Sequence, residues 1–167
     1  VMSWLNKISD GANKAAEYLV ALLLAMMSVV VFVQVIGRWT RLSLPWSEEF
    51  ARYAMIYMVY IGTSVGVKYG NHIAVEFIVN LLPKKGQKIM EVIVCLLMIV
   101  CFGIVCYYGM KLVGVTMMQK SPAMQIKMGY VYFALVLGGV LMLLHSINEI
   151  VNVLTGYEPE NHEEVAA

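Results

Sequence analysis

Charged residues are scarce in this sequence. Only 14% of its 167 residues are Asp, Glu, Lys or Arg, whereas soluble domains carry about 25%. Hydrophobic residues make up 60% of the chain and the mean hydropathy is +0.74. The few charges lie in short segments between long apolar runs. This composition excludes an ordinary soluble domain and predicts an integral membrane protein.

An excess of charge of either sign is also absent. The formal net charge is +1, and the basic residues do not cluster with aromatic residues. A nucleic-acid-binding surface needs a basic patch or stripe. The sequence therefore predicts that nucleic acid is not a partner.

Cysteine and histidine are too few and too poorly spaced for a metal or haem site. The cysteines lie in one apolar run at spacings of six and five residues, which fits neither a zinc motif nor a secreted disulfide framework; they are Cys95, Cys101 and Cys106. The histidines form no ligand pair on facing apolar runs; they are His72, His145 and His162. We predict no metal, haem, disulfide or other cofactor.

Ionisable side chains are missing from the middle of every apolar run. An autonomous transporter, proton pump or small exporter needs such a group near mid-membrane to bind its substrate or ion. Gln34 is the one strongly polar side chain well inside a run, and we expect it to form an interhelical hydrogen bond. The sequence predicts no catalytic and no substrate-binding residue, and thus no enzyme.

Four apolar segments are long enough to cross a bilayer as helices. The first has 22 residues, which at 1.5 Å per residue gives about 33 Å. We therefore predict an all-α integral membrane protein whose residues 1–152 form a four-helix transmembrane domain. The predicted spans are residues 16–37, 46–67, 89–115 and 129–151, and residues 153–167 form an acidic cytoplasmic tail.

A fifth apolar run, residues 73–82, is too short to span. Its ten residues reach only about 15 Å as a helix. Pro83 ends the run, lysines follow, and Glu76 and Asn80 fall on one face. We predict a short interfacial helix in the membrane plane on the cytoplasmic side. The distribution of Lys and Arg weakly favours a cytoplasmic location for both termini.

The second span begins with a charged and aromatic segment. Pro45 suits a first helical position, Glu48 and Glu49 suit the positive end of a helix, and Trp46 suits the headgroup level. Arg52 lies four residues after Glu48, so the two can pair on one face. A local pair and a contact with a partner chain both remain open.

Small residues recur along the second span. Gly62, Gly66 and Gly70 repeat every four residues, which forms a groove where another backbone can approach closely. Packing among the chain's own helices and a seam for another subunit are both consistent with this pattern.

Three segments in this order carry a family resemblance. Residues 45–53 read Pro-Trp-Ser-Glu-Glu-Phe-Ala-Arg-Tyr after a span that ends in Gly37-Arg38. Residues 71–76 read Asn-His-Ile-Ala-Val-Glu after Gly62 and Gly66. Residues 121–123 read Ser-Pro-Ala and lead into the last span. With these segments, the chain resembles the small membrane (Q-type) subunit of a tripartite ATP-independent periplasmic (TRAP) transporter.

The resemblance implies a division of labour in the bacterial inner membrane. A periplasmic binding protein captures an organic acid, such as a dicarboxylate or sialic acid. A large multi-span subunit then moves the acid inward by symport with sodium, and the small subunit braces the large one. The residues implied or expected to contact partner subunits are Arg38, Trp46, Glu48, Glu49, Arg52, Gly62, Gly66, His72 and Glu76.

Two other functions remain open from the residues alone. One is a structural or assembly protein of a membrane complex unrelated to transport. The other is an independent small channel or exporter, which the lack of polar groups in mid-span disfavours.

Overall fold

The computed structural model describes residues 2–40, 44–69 and 84–155. Four helices account for most of them: α1 (Met2–Trp39), α2 (Pro45–Lys68), α3 (Lys84–Thr116) and α4 (Met128–Thr155). Across these ranges the only β pairing is an isolated bridge between Lys120 and Lys127. The described part of the chain is therefore all-helical, as predicted. The predicted interfacial helix at 73–82, with His72 and Glu76, lies outside the described residues, as does most of the predicted tail.

Three of the four helices are long and apolar enough to cross a membrane, namely Asn6–Trp39, Gly86–Thr116 and Met128–Thr155. They make the chain a multi-pass membrane protein. Helix α2 has 24 residues and is long enough to span. It is less apolar than the others because Arg52, several tyrosines, Thr63 and Ser64 lie within it.

The helices pack in the order α1, α2, α4, α3. Helix α2 packs against α1 and α4, α3 packs against α4, and α1 touches α4 to a small extent. Among the described residues α3 contacts neither α1 nor α2. In the most apolar part of α4, 44% of the residues are buried, against none in that of α1. Helix α4 is thus the central element.

Glycines on α4 allow its neighbours to approach closely. A Cβ atom on Gly138 would lie 2.8 Å from the Tyr60 carbonyl oxygen on α2, and one on Gly139 would lie 2.7 Å from Cys106 Sγ on α3. Protein cores do not tolerate such overlaps without shifts of side chain or backbone. These adjacent glycines therefore fix the contacts of α4 with both α2 and α3.

Helix α1 begins well before the predicted first span. It starts at Met2, whereas the apolar run begins near residue 16. Its 38 residues amount to about 57 Å, far longer than a hydrocarbon core of about 30 Å. The apolar run marks only the part in lipid, so the amino-terminal third extends past it. There, Ser9, Asn13 and Ala16 are buried against the rest of the protein.

Candidate functional site

The first turn of α2 is shaped by its own backbone. Pro45 is the first helical residue, and Leu44 provides no side-chain cap. The Ser47 hydroxyl, which is fully buried, donates to the Leu44 carbonyl at 2.7 Å. This contact fixes the turn and leaves Glu48 and Glu49 to point elsewhere.

Glu49 binds the loop between α3 and α4. Its two carboxylate oxygens accept hydrogen bonds from the backbone N–H groups of Ala123 and Met124, each at 2.9 Å. A carboxylate that accepts two backbone bonds forms a charge-assisted contact at both oxygens. Two of the segments that carry the family resemblance, residues 45–53 and 121–123, therefore meet in space. Glu49 acts as an anchor within the chain.

That loop is itself closed by backbone hydrogen bonds. Ser121 N–H donates to Ile126 O at 2.8 Å, and Met128 N–H donates to Gln119 O at 2.9 Å. Gln125 has a φ of 55°, a left-handed conformation that turns the chain back. Glu49 therefore holds a preformed turn.

Glu48 forms its side-chain contact with the first helix, α1, and not with Arg52. Gln34 Nε2 on α1 donates to Glu48 Oε1 at 3.1 Å, so the predicted interhelical hydrogen bond of Gln34 is confirmed. No Glu48–Arg52 ion pair occurs in the described part of the chain, so of the two alternatives the local i, i+4 pair is not formed here and the contact with a partner chain stays a prediction. The Arg52 side chain is exposed, because Glu48 is turned toward α1.

Arg38 and Trp46 lie near the same end of the molecule as the start of α2. Arg38 is exposed, and 45% of the Trp46 surface is accessible. Neither side chain forms a hydrogen bond, ion pair or ring contact with another described residue. Both are free to meet lipid headgroups or a partner.

Gly62 and Gly66 border open space. A Cβ atom added at either position would meet nothing within 4 Å among the described residues. The four described helices therefore do not fill this groove, whereas they do fill the space at Gly138 and Gly139. Gly70, the third glycine of the repeat, lies outside the described residues. A separate apolar groove of about 210 Å³ is lined by residues of α2, α3 and α4, among them Thr63, Phe102 and Gly139.

A polar cluster at the opposite end of α2 was missed in the sequence. Lys68 Nζ lies 2.8 Å from Asp10 Oδ1 and donates to Ser9 Oγ at 2.9 Å. Ser9 Oγ in turn lies 2.9 Å from His145 Nδ1. One side chain from α2 thereby joins α1 and α4.

The cluster continues along α1. The Tyr69 hydroxyl and Asn13 Nδ2 both donate to Glu17 Oε1, at 2.5 and 2.6 Å. The bond from Tyr69 to this carboxylate raises the pKa of the Tyr69 phenol, and burial adds to the effect. The spacing of Ser9, Asn13 and Ala16 along one helical face was the available signal.

No group of three or more His, Cys, Asp or Glu side chains is placed to hold a metal ion in the described ranges. The cysteines at 95, 101 and 106 are free thiols. Ser9 and His145 form a serine–histidine contact, but both side chains are buried where α1 meets α4, so this pair serves helix packing.

Comparison with known proteins identifies the family. Residues 27–156 match the DctQ component of the tripartite ATP-independent periplasmic transporters. This match covers most of the chain. The chain belongs to the DctQ family. The DctQ family comprises transporter permease subunits and is not an enzyme family.

Individual relatives agree with this assignment. A Haemophilus influenzae protein named as a TRAP transporter small permease protein is 29% identical over 85% of this chain and 89% of its own length. The Vibrio cholerae sialic acid TRAP transporter small permease protein SiaQ is 25% identical over 85% of this chain and 83% of its own length.

One relative is much longer. The isethionate TRAP transporter permease protein DctMQ of Oleidesulfovibrio alaskensis is 27% identical over 90% of this chain, yet the match covers only 24% of that protein. A DctQ-like segment thus occurs in one polypeptide with a larger permease part. In this DctQ chain, Glu49 joins two of the resemblance segments, and Gly62 and Gly66 leave an uncovered groove.

Proposed function

We propose that this chain is the small scaffold subunit of a sodium-coupled TRAP transporter for organic acids, bracing the large transport subunit and carrying no substrate site. The observation that carries the proposal is the uncovered groove at Gly62 and Gly66 in a member of the DctQ family. Substrate and sodium are handled by the large subunit, because this chain has no ionisable group deep in its apolar runs.

Helix α2 is proposed as the fourth membrane span. Near its start, Glu49 contacts Met124, just before α4 begins, and the Tyr57 hydroxyl donates to Tyr130 O at 2.6 Å. Near its end, Lys68 reaches the Ser9–His145 pair. Helix α2 therefore runs beside α4 along most of that candidate span. Its intermediate apolarity is explained by neighbours on two sides.

With α2 counted as a span, the chain crosses the membrane four times, and this number sets the side of the membrane on which each segment lies. We place the chain in the bacterial inner membrane with both termini in the cytoplasm and with an in-plane helix at 73–82. The transmembrane domain comprises residues 1–152, with a tail at 153–167. The Glu49 end then faces the periplasm and the Lys68 end the cytoplasm. These assignments agree with the positions of Lys84, Lys85 and Lys88 on the cytoplasmic side.

The proposed seam for the large subunit is Gly62 with Gly66. Close backbone approach is the main source of helix association in lipid, where no hydrophobic driving force acts between helices. The open Cβ positions at both glycines allow a partner helix to approach α2. Arg38, Trp46 and Arg52 extend the contact at the periplasmic end, and Glu48 and Glu49 support it from within the chain. His72 and Glu76 are proposed to contact the partner at the other end.

The periplasmic partner is proposed to be a substrate-binding protein. The turn held by Glu49 presents exposed Lys120 and Lys127 on that side. The substrate class is an organic acid, since the relatives' names refer to sialic acid and isethionate. Substrate choice within this class resides in the other subunits.

The test replaces the seam glycines together. Gly62→Leu/Gly66→Leu adds bulk where this chain has room, so the subunit folds and inserts normally. We expect it to lose most of the co-purifying large subunit and most sodium-driven uptake in vesicles. Gly114→Leu, another open position but on α3, is the matched control and retains both.

Two results would count against the proposal. Full assembly and uptake in the double variant would remove the seam from the contact site. Purification of the wild-type chain from native membranes without any large multi-span protein would remove the transporter-subunit function itself. A membrane-assembly protein unrelated to transport would then be the better description.

A further inference from the structure

The polar cluster at the end of α2 continues into a buried seam between α1 and α4. On α1, Asn6, Ser9 and Asn13 share one face at i, i+3 and i+7. On α4, His145, Asn148 and Asn152 have the same spacing. We call this set of six side chains the polar seam. Ser9 and His145 are in hydrogen-bonding contact across it.

The hydrogen bonds fix the form of the His145 ring. The Lys68 ammonium has only donors and occupies a lone pair of Ser9 Oγ. The Ser9 hydroxyl is fully buried, and among the described residues His145 Nδ1 is its one contact that can accept a hydrogen bond, so we assign the Ser9 O–H group as the donor to Nδ1. A neutral ring that accepts at Nδ1 carries its proton on Nε2. His145 Nε2–H is therefore a donor.

That donor has no protein acceptor among the described residues. His145 is 2% exposed, and Nε2 is inaccessible. The side-chain oxygens of Asn6, Asn13, Asn148 and Asn152 in the seam, and of Ser146 beside it, are likewise buried without a described hydrogen-bond donor. Such orphaned groups are rare in native proteins, and buried water is their usual partner.

The balance of donors and acceptors identifies the ligand class. A metal or ammonium cation would satisfy the oxygens but cannot accept from Nε2–H, and Lys68 already places a positive charge nearby. A carboxylate or phosphate would accept from Nε2–H but cannot donate to the oxygens. Water does both.

We propose that the polar seam is a built water site. At least one ordered water accepts a hydrogen bond from His145 Nε2–H and donates to a seam or Ser146 oxygen, which holds the amino-terminal third of α1 against α4. The site is independent of the transport role, because it rests on contacts within this chain alone.

The first test is solid-state NMR of the chain with ¹⁵N-labelled histidine, assembled in lipid with its unlabelled partner subunits. A matched sample of His145→Gln identifies which of the three histidine signals belong to His145. We expect an unprotonated Nδ1, a protonated Nε2 and magnetisation transfer from water to the Nε2 proton. A protonated Nδ1 with a bare Nε2, or no transfer from water, would overturn the proposal.

Variants of single residues test the individual contacts of the proposed water site. Ser9→Ala removes the donor to Nδ1, so a second population with the proton on Nδ1 is expected. Asn148→Leu removes one acceptor and is expected to weaken water transfer, whereas Ile147→Leu at an exposed neighbouring position leaves it unchanged. Equal transfer in Asn148→Leu and Ile147→Leu would remove Asn148 from the site.

The second test is an electron cryomicroscopy map of the same assembly at a resolution that shows ordered water. Density for water within hydrogen-bonding distance of both Nε2 and a seam or Ser146 oxygen is expected. A side chain from another subunit, or a backbone carbonyl, seated on Nε2 would overturn the proposal.

Discussion

The two ends of α2 are held by different kinds of contact. At the start, Glu49 accepts from the backbone N–H groups of Ala123 and Met124. At the end, Lys68 depends on the side chains of Asp10 and Ser9. Backbone donors exist whatever the loop sequence, while side-chain partners exist only with the right residues. The start of α2 should therefore tolerate changes in its partners, and the end should not.

The largest effect is expected for Lys68→Met. Removing the ammonium leaves Asp10 without its ion-pair partner and Ser9 without its donor. The Lys68 side chain is only 19% exposed, so water replaces these contacts poorly. We expect the free energy of unfolding to fall by about 2 kcal/mol. This is more than the loss of an exposed ion pair costs and less than the loss of one partner of a buried ion pair. Unfolding in mixed micelles measures it, with exposed Lys14→Met as the control. Equal stability of the two variants would contradict the contrast between the ends.

Ser9→Ala should have the next largest effect. It leaves His145 Nδ1 buried without a donor, which costs about 1 kcal/mol or more. Ser28→Ala is a suitable control, because the Ser28 hydroxyl is exposed and donates only to Leu24 in its own helix; a change within about 0.5 kcal/mol is expected there. If both serines prove equally dispensable in the same unfolding assay, the α1–α4 contact does not depend on Ser9.

Ala123→Pro tests the start of α2. Proline at 123 removes one of the two N–H groups that donate to Glu49 and keeps that of Met124, so the variant should show part of the effect of Glu49→Ala. Both should speed hydrogen exchange at the Met124 amide and leave the far end of α2 unchanged. The double variant should exchange no faster than Glu49→Ala alone, since Glu49→Ala already removes both hydrogen bonds. Additive acceleration would show that Glu49 stabilises the loop by another route.

The smallest effect is expected for Ala123→Ser and Met124→Leu. Both keep the backbone donors and change only side chains at the loop. Stability should stay within about 0.5 kcal/mol of the parent, and amide exchange should be unaffected. A loss comparable to that of Ala123→Pro would mean that the loop side chains matter, which would break the comparison between the two ends.

The sequence predicts the helices better than their contacts. Apolar runs locate α2, α3 and α4 because lipid demands continuous apolar helix. They do not locate the start of α1, since residues before 16 form helix outside the apolar run. The contact of Glu49 with residues 123 and 124 spans more than 70 positions, and no local pattern encodes such a pairing.

The glycines show the same limit. The repeat of Gly62 and Gly66 is visible in the sequence, and so is the pair Gly138–Gly139. The sequence does not say that a Cβ atom would have room at the first two positions and would overlap a neighbouring helix at the other two. Gln34 was interpreted correctly because a lone amide in an apolar run has few alternatives to an interhelical bond. Lys68 and His145 share the partner Ser9, but they lie far apart in the sequence and no local pattern links them.

The central position of α4 has a consequence for biosynthesis. Helix α4, against which α2 and α3 both pack, is the last of the four described helices to leave the ribosome. Until then, α3 has no described helix to pack on, and the Tyr57 hydroxyl lacks its acceptor, the Tyr130 carbonyl oxygen. The translocon or the lipid must therefore hold α3 apart from the α1–α2 pair while translation continues. Chains that stop before residue 128 should be cleared by membrane quality control as unassembled intermediates.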